Sequence, residues 1–329
     1  MWTRRTALAS AVAFLASPSR AAADYAQVLA EAWGAPLDPA TAHRRAMAEA
    51  RRLQARADRL LDGQGLSRGT VAERLRALFA DERYLYPDSD AGRNRAVAEM
   101  NARLAALRPK LAKAFGDLPI PPAEVRRMSP ADEARGRGGY REPPAYYVDL
   151  KAIRERPSWT LPSVAFHETV PGHALQATLQ SADAARQRYL SAYSEAWATY
   201  AEQLAHDLGS YAGDPLGELG YLHWRLFRMA RVVADTGQGA LGWSAGQATA
   251  GMAELQGRSI AFATIEADVA RMRQQPGAFT AQGLGALEIA RLRPKHVASW
   301  PRFHRAILAD GPFPCGMFAA VLRGGESAR

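Results

Sequence analysis

Apolar residues recur at three- and four-residue intervals through most of this 329-residue chain, with arginines set between them, and that spacing commits it to helices. Leu53, Ala57, Leu60 and Leu61 show the pattern, and alanine, leucine and arginine, all good helix formers, dominate the sequence. Thr70 and Glu73 stand at the spacing of a capping box, which predicts a helix from there to about Phe79. Another helix is expected to start at Asp88 to Asp90 and to carry Val97, Met100, Leu104, Leu107 and Leu111, with a kink at Pro109. The pattern then fails over residues 117–150, which are rich in proline, glycine and charge. That connection ends in AYYVDL (145–150), the best strand candidate. Helical spacing resumes near Leu161 and runs almost to the C-terminus, with breaks expected around Asp214-Pro215, Thr236 to Gly242 and Gln275 to Gly277. The expected fold is mainly α, with a small β element before the helix at Leu161. A helical region over 24–125 is expected to pack with a second region, 126–329, as one domain.

Residues 1–23 read as an export signal. MWTRR is a positive start, TALASAVAFLA a short apolar run, and SRAAAD a small-residue cleavage site near Ala23. The Arg4-Arg5 pair also fits the twin-arginine export route. The expected location is periplasmic or secreted. No run of eighteen apolar residues occurs, so no stable membrane insertion is expected after cleavage. Removing residues 1–23 takes away Arg4, Arg5 and Arg20 and no acid, which lowers the formal charge from +9 to +6. The remaining basic residues alternate with acids, as in ARRLQARADRL (50–60), and read as solvated faces with no nucleic-acid partner. Cys315 is the single cysteine, so there is no internal disulfide and no cysteine-rich zinc site. Any metal must be held by histidine and carboxylate.

HETVPGH (167–173) carries the chemistry. Hydrolytic zinc sites use three protein ligands and leave a position open for water, whose pKa the metal lowers to about 7. A neighbouring glutamate then takes the proton. His167 followed by Glu168 offers both a ligand and a base. The second histidine, however, comes six residues later, at His173. On a regular helix six residues leave it about 120° round and about 9 Å further along the axis, where it cannot share an ion with His167. Pro171 lacks the N–H that would bond the carbonyl of His167, and Gly172 reaches backbone angles closed to other residues. A broken turn at Val170-Pro171-Gly172 is therefore the condition for the site to close; otherwise the pair is structural. The third ligand should come from another helix. YLSAYSEAWATYAEQLAHD (189–207) reads as one, with Glu195 set among Ala192, Tyr193, Ala196 and Trp197, where an unpaired carboxylate is costly. Glu202 lies seven residues on, on nearly the same face, placed to orient a ligand, and His206 continues the stripe. The alternative is a helix with ordinary exposed acids.

HETVPGHALQ, SEAWATYAEQL, ARVVADTGQGALGWSAGQA, the Pro276-Gly277 step and FHRAILADGPFP follow in an order that resembles the bacterial family called domain of unknown function 885. The resemblance covers roughly residues 120–325. It implies a gluzincin-like helical zinc peptidase fold, with His167, His173 and Glu195 as metal ligands, Glu168 as general base and one zinc ion per chain. It also implies that AYYVDL, including Tyr147, lies near the cleft as an edge strand able to pair with an extended peptide, and that Arg231 and Asp235 line that cleft. The other reading of Arg231 and Asp235 is an i, i+4 ion pair. His304 matches the family without a derivable role. The chain departs from the family at four positions: Ala174, Gly239, Ala278 and Gln282 stand where a His, a His, a Gln and a Tyr are usual. The His at 239 and the Tyr at 282 would be groups able to hold a developing oxyanion.

The expected function is an exported zinc-dependent peptidase acting on peptides or small proteins through a metal-activated water. The competing expectation is a catalytically weakened relative that keeps the metal site as a structural or peptide-binding element.

Overall fold

The computed structural model describes residues 20–181, 183–258, 264–309 and 311–327. Residues 1–19 of the expected export signal lie outside the described residues, and its expected cleavage point at Ala23 falls in the first turn of helix α1 (Arg20–Trp33). Among the described residues no helix is long and apolar enough to cross a membrane.

The chain is mainly helical. After α1 come α2 (Pro39–Gly63), α3 (Val71–Phe79), α4 (Asp90–Leu107) and the short α5 (Leu111–Phe115). Thr70 caps α3 with both bonds of the capping box: its hydroxyl accepts from the Glu73 N–H, and the Glu73 carboxylate accepts from the Thr70 N–H. Pro109 ends α4 in a 3₁₀ turn, Arg108–Lys110, that leads into α5. The connection over 117–150 holds more structure than its composition suggests. It contains β1 (Glu124–Arg127), the short helix α6 (Pro130–Ala134), β2 (Tyr140–Glu142) and β3 (Ala145–Val148). β3 lies between the other two strands, parallel to β1 and antiparallel to β2. The expectation of an edge strand at AYYVDL is therefore corrected: both sides of β3 are already paired within the chain.

The second half comprises α7 (Leu161–Glu168), α8 (His173–Leu179), α9 (Leu190–Asp207), α10 (Pro215–Ala240), α11 (Ala245–Gln256), α12 (Ile265–Gln274), α13 (Ala278–Leu292), α14 (Trp300–Leu308) and α15 (Phe318–Ser327). Asp214 caps α10 by accepting from the Gly217 N–H. The break expected over Thr236 to Gly242 comes at its far end: α10 continues to Ala240, and the chain then leaves the helix through Leu241 and Gly242, whose φ is 71°.

α10 is the axis of the molecule. It packs against α1, α2, α7, α9, α11, α12 and α13 and is buried on all sides from Leu219 to Gly237. Ala42, Ala46, Ala50 and Ala57 form the buried stripe of α2, and their small side chains let that helix lie close to α10. One hydrophobic cluster runs from Tyr25 to Phe318, so the two halves of the chain share a core.

Two histidines in this core give it an acid limb. His304 donates from Nδ1 to the Ala114 carbonyl, and its Nε2 accepts from the Tyr200 hydroxyl, an arrangement that requires the neutral ring. His223 packs against Phe79 and Trp159. Burial pushes both down to about 3 from the ordinary 6.5. The unfolded chain thus binds these protons first, and stability falls as pH drops from about 6.5 toward 3. Asp235, raised by burial to about 6 from 3.8, works the other way over that narrower interval. The denaturant midpoint is expected to drop between pH 7 and 4.5, and His223→Leu to narrow that drop. An unchanged gap in the variant would show that His223 does not drive it.

Candidate metal centre

The helix carrying HETVPGH is broken where its sequence allows. α7 ends at Glu168 and α8 begins at His173. Between them Thr169 leaves helical geometry at φ −114° and ψ −117°, and the Val170–Pro171 peptide is cis. The helical ladder reconnects across the gap by longer bonds. The Gly172 N–H reaches the Phe166 carbonyl at 3.0 Å, six residues back, and the Ala174 N–H reaches the Thr169 carbonyl at 3.0 Å, five residues back. Gly172 is required by close approach: a Cβ there would lie 1.9 Å from the His167 carbonyl oxygen. The Trp197 indole of α9 donates to the Pro171 carbonyl at 2.9 Å and ties the turn to the helix that carries Glu195.

The result brings the two imidazoles together, with ring centroids 4.8 Å apart and planes at 86°. His167, His173 and Glu195 each present one ligand atom, all within 4.8 Å of one another. His173 Nε2 lies 3.4 Å from Glu195 Oε1, and His167 Nε2 3.7 Å from Glu195 Oε2. Ligand atoms on a tetrahedral zinc with bonds near 2.05 Å stand about 3.3 Å apart, so the two Glu195 edges lie close to that spacing, and the 4.8 Å span of the whole set is wider than it.

The surrounding hydrogen bonds set the tautomers. Glu202 accepts from Ser163 at 2.6 Å with one oxygen and from His167 Nδ1 at 2.8 Å with the other. Ser194 gives its one proton to Gln176, so at 2.9 Å it accepts from His173 Nδ1. Each ring thus carries its proton on Nδ1 and turns the Nε2 lone pair toward Glu195. His173 Nε2 is buried and makes no hydrogen bond among the described residues. Burial pushes the His173 pKa down, which favours the neutral ring a metal needs. For Glu195, burial works upward, but Arg228, His173 and His167 together hold the carboxyl well below the usual range. Arg228 of α10 donates to Glu195 Oε2 at 2.9 Å and to His167 Nε2 at 3.2 Å. A guanidinium cation therefore sits against two of the atoms that a metal would take. An unbonded buried lone pair, two neutral imidazoles and one ionised carboxylate make a donor set that fits a divalent cation.

The centre opens on a cavity of about 420 Å³. Glu168 lines it and pairs with Arg141 of β2. Glu202 lines it as well, behind His167. Of the four remaining expectations, Arg231 and Gln282 face the cavity, whereas Tyr147 and Asp235 do not. Tyr147 is corrected by the strand's period of two: it stacks on Tyr140, with ring centroids 4.8 Å apart, and its neighbour Tyr146 takes the cavity side. Asp235 is corrected by its partners. It accepts from the N–H groups of Gly277 and Thr280 and from the Thr280 hydroxyl, so it caps α13 rather than pairing with Arg231. Arg231 instead makes two bonds to Asp268, at 2.7 and 2.8 Å. Gly239 lies eleven residues beyond Arg228 on α10, about 16 Å along its axis, and a Cβ there would meet the Tyr25 ring at 2.0 Å. His206 bonds Arg56 and stacks on Tyr221.

Arg228, Ser163, Ser194, Gln176, Tyr146 and Arg156 escaped the sequence reading. A signal for Arg228 existed: Arg225, Arg228 and Arg231 recur every three residues in the apolar run GYLHWRLFRMARVVAD, which places them along one face of a buried helix.

The family described as "Bacterial protein of unknown function (DUF885)" matches residues 2–322. The chain belongs to DUF885. Two solved structures share its fold. One, the "putative lipoprotein from Colwellia psychrerythraea", aligns with a TM-score of 0.79 and 29% identity, covering 94% of this DUF885 chain and 56% of its own. The other, a "putative lipoprotein of unknown function from Shewanella oneidensis", has a TM-score of 0.68 and 18% identity, covering 93% and 59%. This DUF885 member thus spans under two thirds of the length of each. Comparison with curated proteins gave no match.

The close approach at Gly172 is testable through stability. Gly172→Ala should cost about 3 kcal/mol, the upper end of overpacking. Gly63→Ala, a helical position with no neighbour within 4 Å of the added carbon, should be neutral or mildly stabilising. Equal denaturation midpoints for Gly172→Ala and its parent would mean that the turn does not depend on this contact.

Proposed function

We propose that this chain is an exported zinc-dependent peptidase of the gluzincin-like kind. The observation that carries the reading is the convergence of His167, His173 and Glu195 within 4.8 Å, with Glu168 on the wall of the same cavity. Bound there, zinc would supply Lewis acidity toward water and a peptide carbonyl. Glu202 and Ser194 hold the two imidazoles in the tautomer that ligates. Glu168, next to His167 in sequence but pointing into the cavity, is the proton acceptor and later the donor to the leaving amine. Tyr146 brings a phenol to the cavity, and burial pushes its pKa up, so it stays a hydrogen-bond donor near neutral pH. It offers the developing oxyanion a donor in place of the Tyr that Gln282 replaces. The names of the two similar structures and the signal-like residues 1–23 support an exported location, periplasmic or secreted.

The competing reading, a relative that keeps the site without turnover, draws on Arg228, which occupies two ligand atoms, and on Gln282. Metal content and hydrolysis separate the two. The purified mature protein should hold about one zinc per chain, and His167→Ala, His173→Ala or Glu195→Ala should each lose it. Glu168→Gln should keep zinc and stop cleavage of a peptide library. Zinc without cleavage by the parent would favour the competing reading, and no zinc would sink both.

Tyr146→Phe should lower turnover by about 10²–10³ at unchanged zinc content, the usual cost of one oxyanion donor. Full turnover in that variant would remove Tyr146 from the mechanism. Mass spectrometry of the exported fraction should find a mature N-terminus near Asp24, and an intact Met1 on the active protein would contradict the export reading.

A further inference from the structure

Arg156 follows the 3₁₀ turn Ile153–Glu155 and lines the same cavity as His167, Glu168 and Glu195. It is only 7% exposed. A guanidinium carries five N–H donors and is always charged, so a buried one ordinarily has a carboxylate or carbonyl against it. The other arginines on the cavity wall do. Arg228 meets Glu195 at 2.9 Å, Arg231 meets Asp268 at 2.7 Å, and Arg271 meets Asp268 at 3.3 Å. Arg156 is different. Among the described residues its nearest carboxylate, Asp149, stands 3.8 Å away, beyond hydrogen-bond range, and its buried Nε, like that of Arg228, has no hydrogen-bond partner.

We propose that Arg156 is a receptor for one carboxylate group of the bound substrate. The proposal rests on the peptidase reading only for its choice of peptides as ligand. A planar guanidinium with free donors matches a carboxylate in two parallel bonds. Gly138 and Gly139 line the same cavity, and a Cβ on Gly139 would come within 2.3 Å of the Tyr146 hydroxyl. Glu168 and Glu195 in the same cavity already face Arg141 and Arg228, and Arg231 and Arg271 face Asp268, which leaves Arg156 as the arginine of this wall with no carboxylate in hydrogen-bond range among the described residues. A peptide provides such a group either as its terminal carboxylate or as an acidic side chain, and the geometry accepts both.

The test is calorimetric titration of the full-length Glu168→Gln protein, loaded with zinc, so that bound peptide is not consumed. One pair of ligands is acetyl-tetra-alanine as the free acid and as the C-terminal amide. The other is the amidated peptide with glutamate, or with glutamine, at its second position. In one pair the carboxylate form should bind at least about tenfold more tightly than its neutral partner, the size of a charge-assisted contact. The pair that shows the difference identifies the source of the carboxylate. Adding Arg156→Gln should reduce that ratio to under about twofold, and Arg156→Lys, which keeps charge but loses the fork, should fall between. The comparison within each pair on the protein that retains Arg156 does not depend on how the variants fold. Equal binding within both pairs would overturn the proposal while leaving the peptidase reading intact, as would a preference that survives Arg156→Gln. Failure of every peptide to bind would overturn the peptidase reading itself and this ligand class with it.

Discussion

The site depends on one break in a helix, four residues long, between Glu168 and His173. Without it the two histidines would face different sides of one rod. With it, α8 restarts so that His173 turns back against His167, and the bonds from Gly172 to Phe166 and from Ala174 to Thr169 keep the backbone satisfied across the gap. The Pro171 carbonyl, which a continuous helix would use internally, goes to Trp197 instead. That bond couples the turn to α9 and so to Glu195. The place of Glu195, the third candidate ligand, is thus tied to the turn that sets the other two.

Charge buried on α10 is the second constraint. An unpaired guanidinium in this core would cost several kcal/mol. Arg231 is neutralised by Asp268, Arg225 reaches Glu49, and Arg228 is held by Glu195. The Glu195 carboxylate therefore already faces one cation, Arg228, at the place where a metal held by His167 and His173 would meet it. Asp235 belongs to a separate device. It fastens the N-terminus of α13 to α10 and so fixes the far wall of the cavity, where Gln282 lies.

Much of this was legible in the sequence, for definite physical reasons. The Thr70–Glu73 box could be read because capping is local, and the broken turn because proline and glycine restrict or release the backbone wherever they stand. The helical class followed from spacing alone. What failed was what depends on partners distant in the chain. β3 could be seen as a strand, but whether it was central or at an edge depended on β1 and β2, whose residues carry no strong pattern. Which of its faces meets the cavity could not be read either, and because side chains alternate along a strand, naming Tyr147 missed Tyr146 by one step. Asp235 was placed on the cleft by the family resemblance, with an i, i+4 pair to Arg231 as the other reading, while its partners lie more than forty residues on. Arg156 gave no signal, since only three-dimensional packing shows that its donors lack acceptors.

X-ray absorption at the zinc edge of the metal-loaded chain tests the central claim most directly, because it reads the ligand set itself. The account predicts a low-coordinate shell containing two imidazole nitrogens at about 2.0–2.1 Å and carboxylate oxygen at about 2.0–2.2 Å, and no such zinc signal from His173→Ala. A spectrum of zinc in an all-oxygen shell, or one that His173→Ala leaves unchanged, would contradict it.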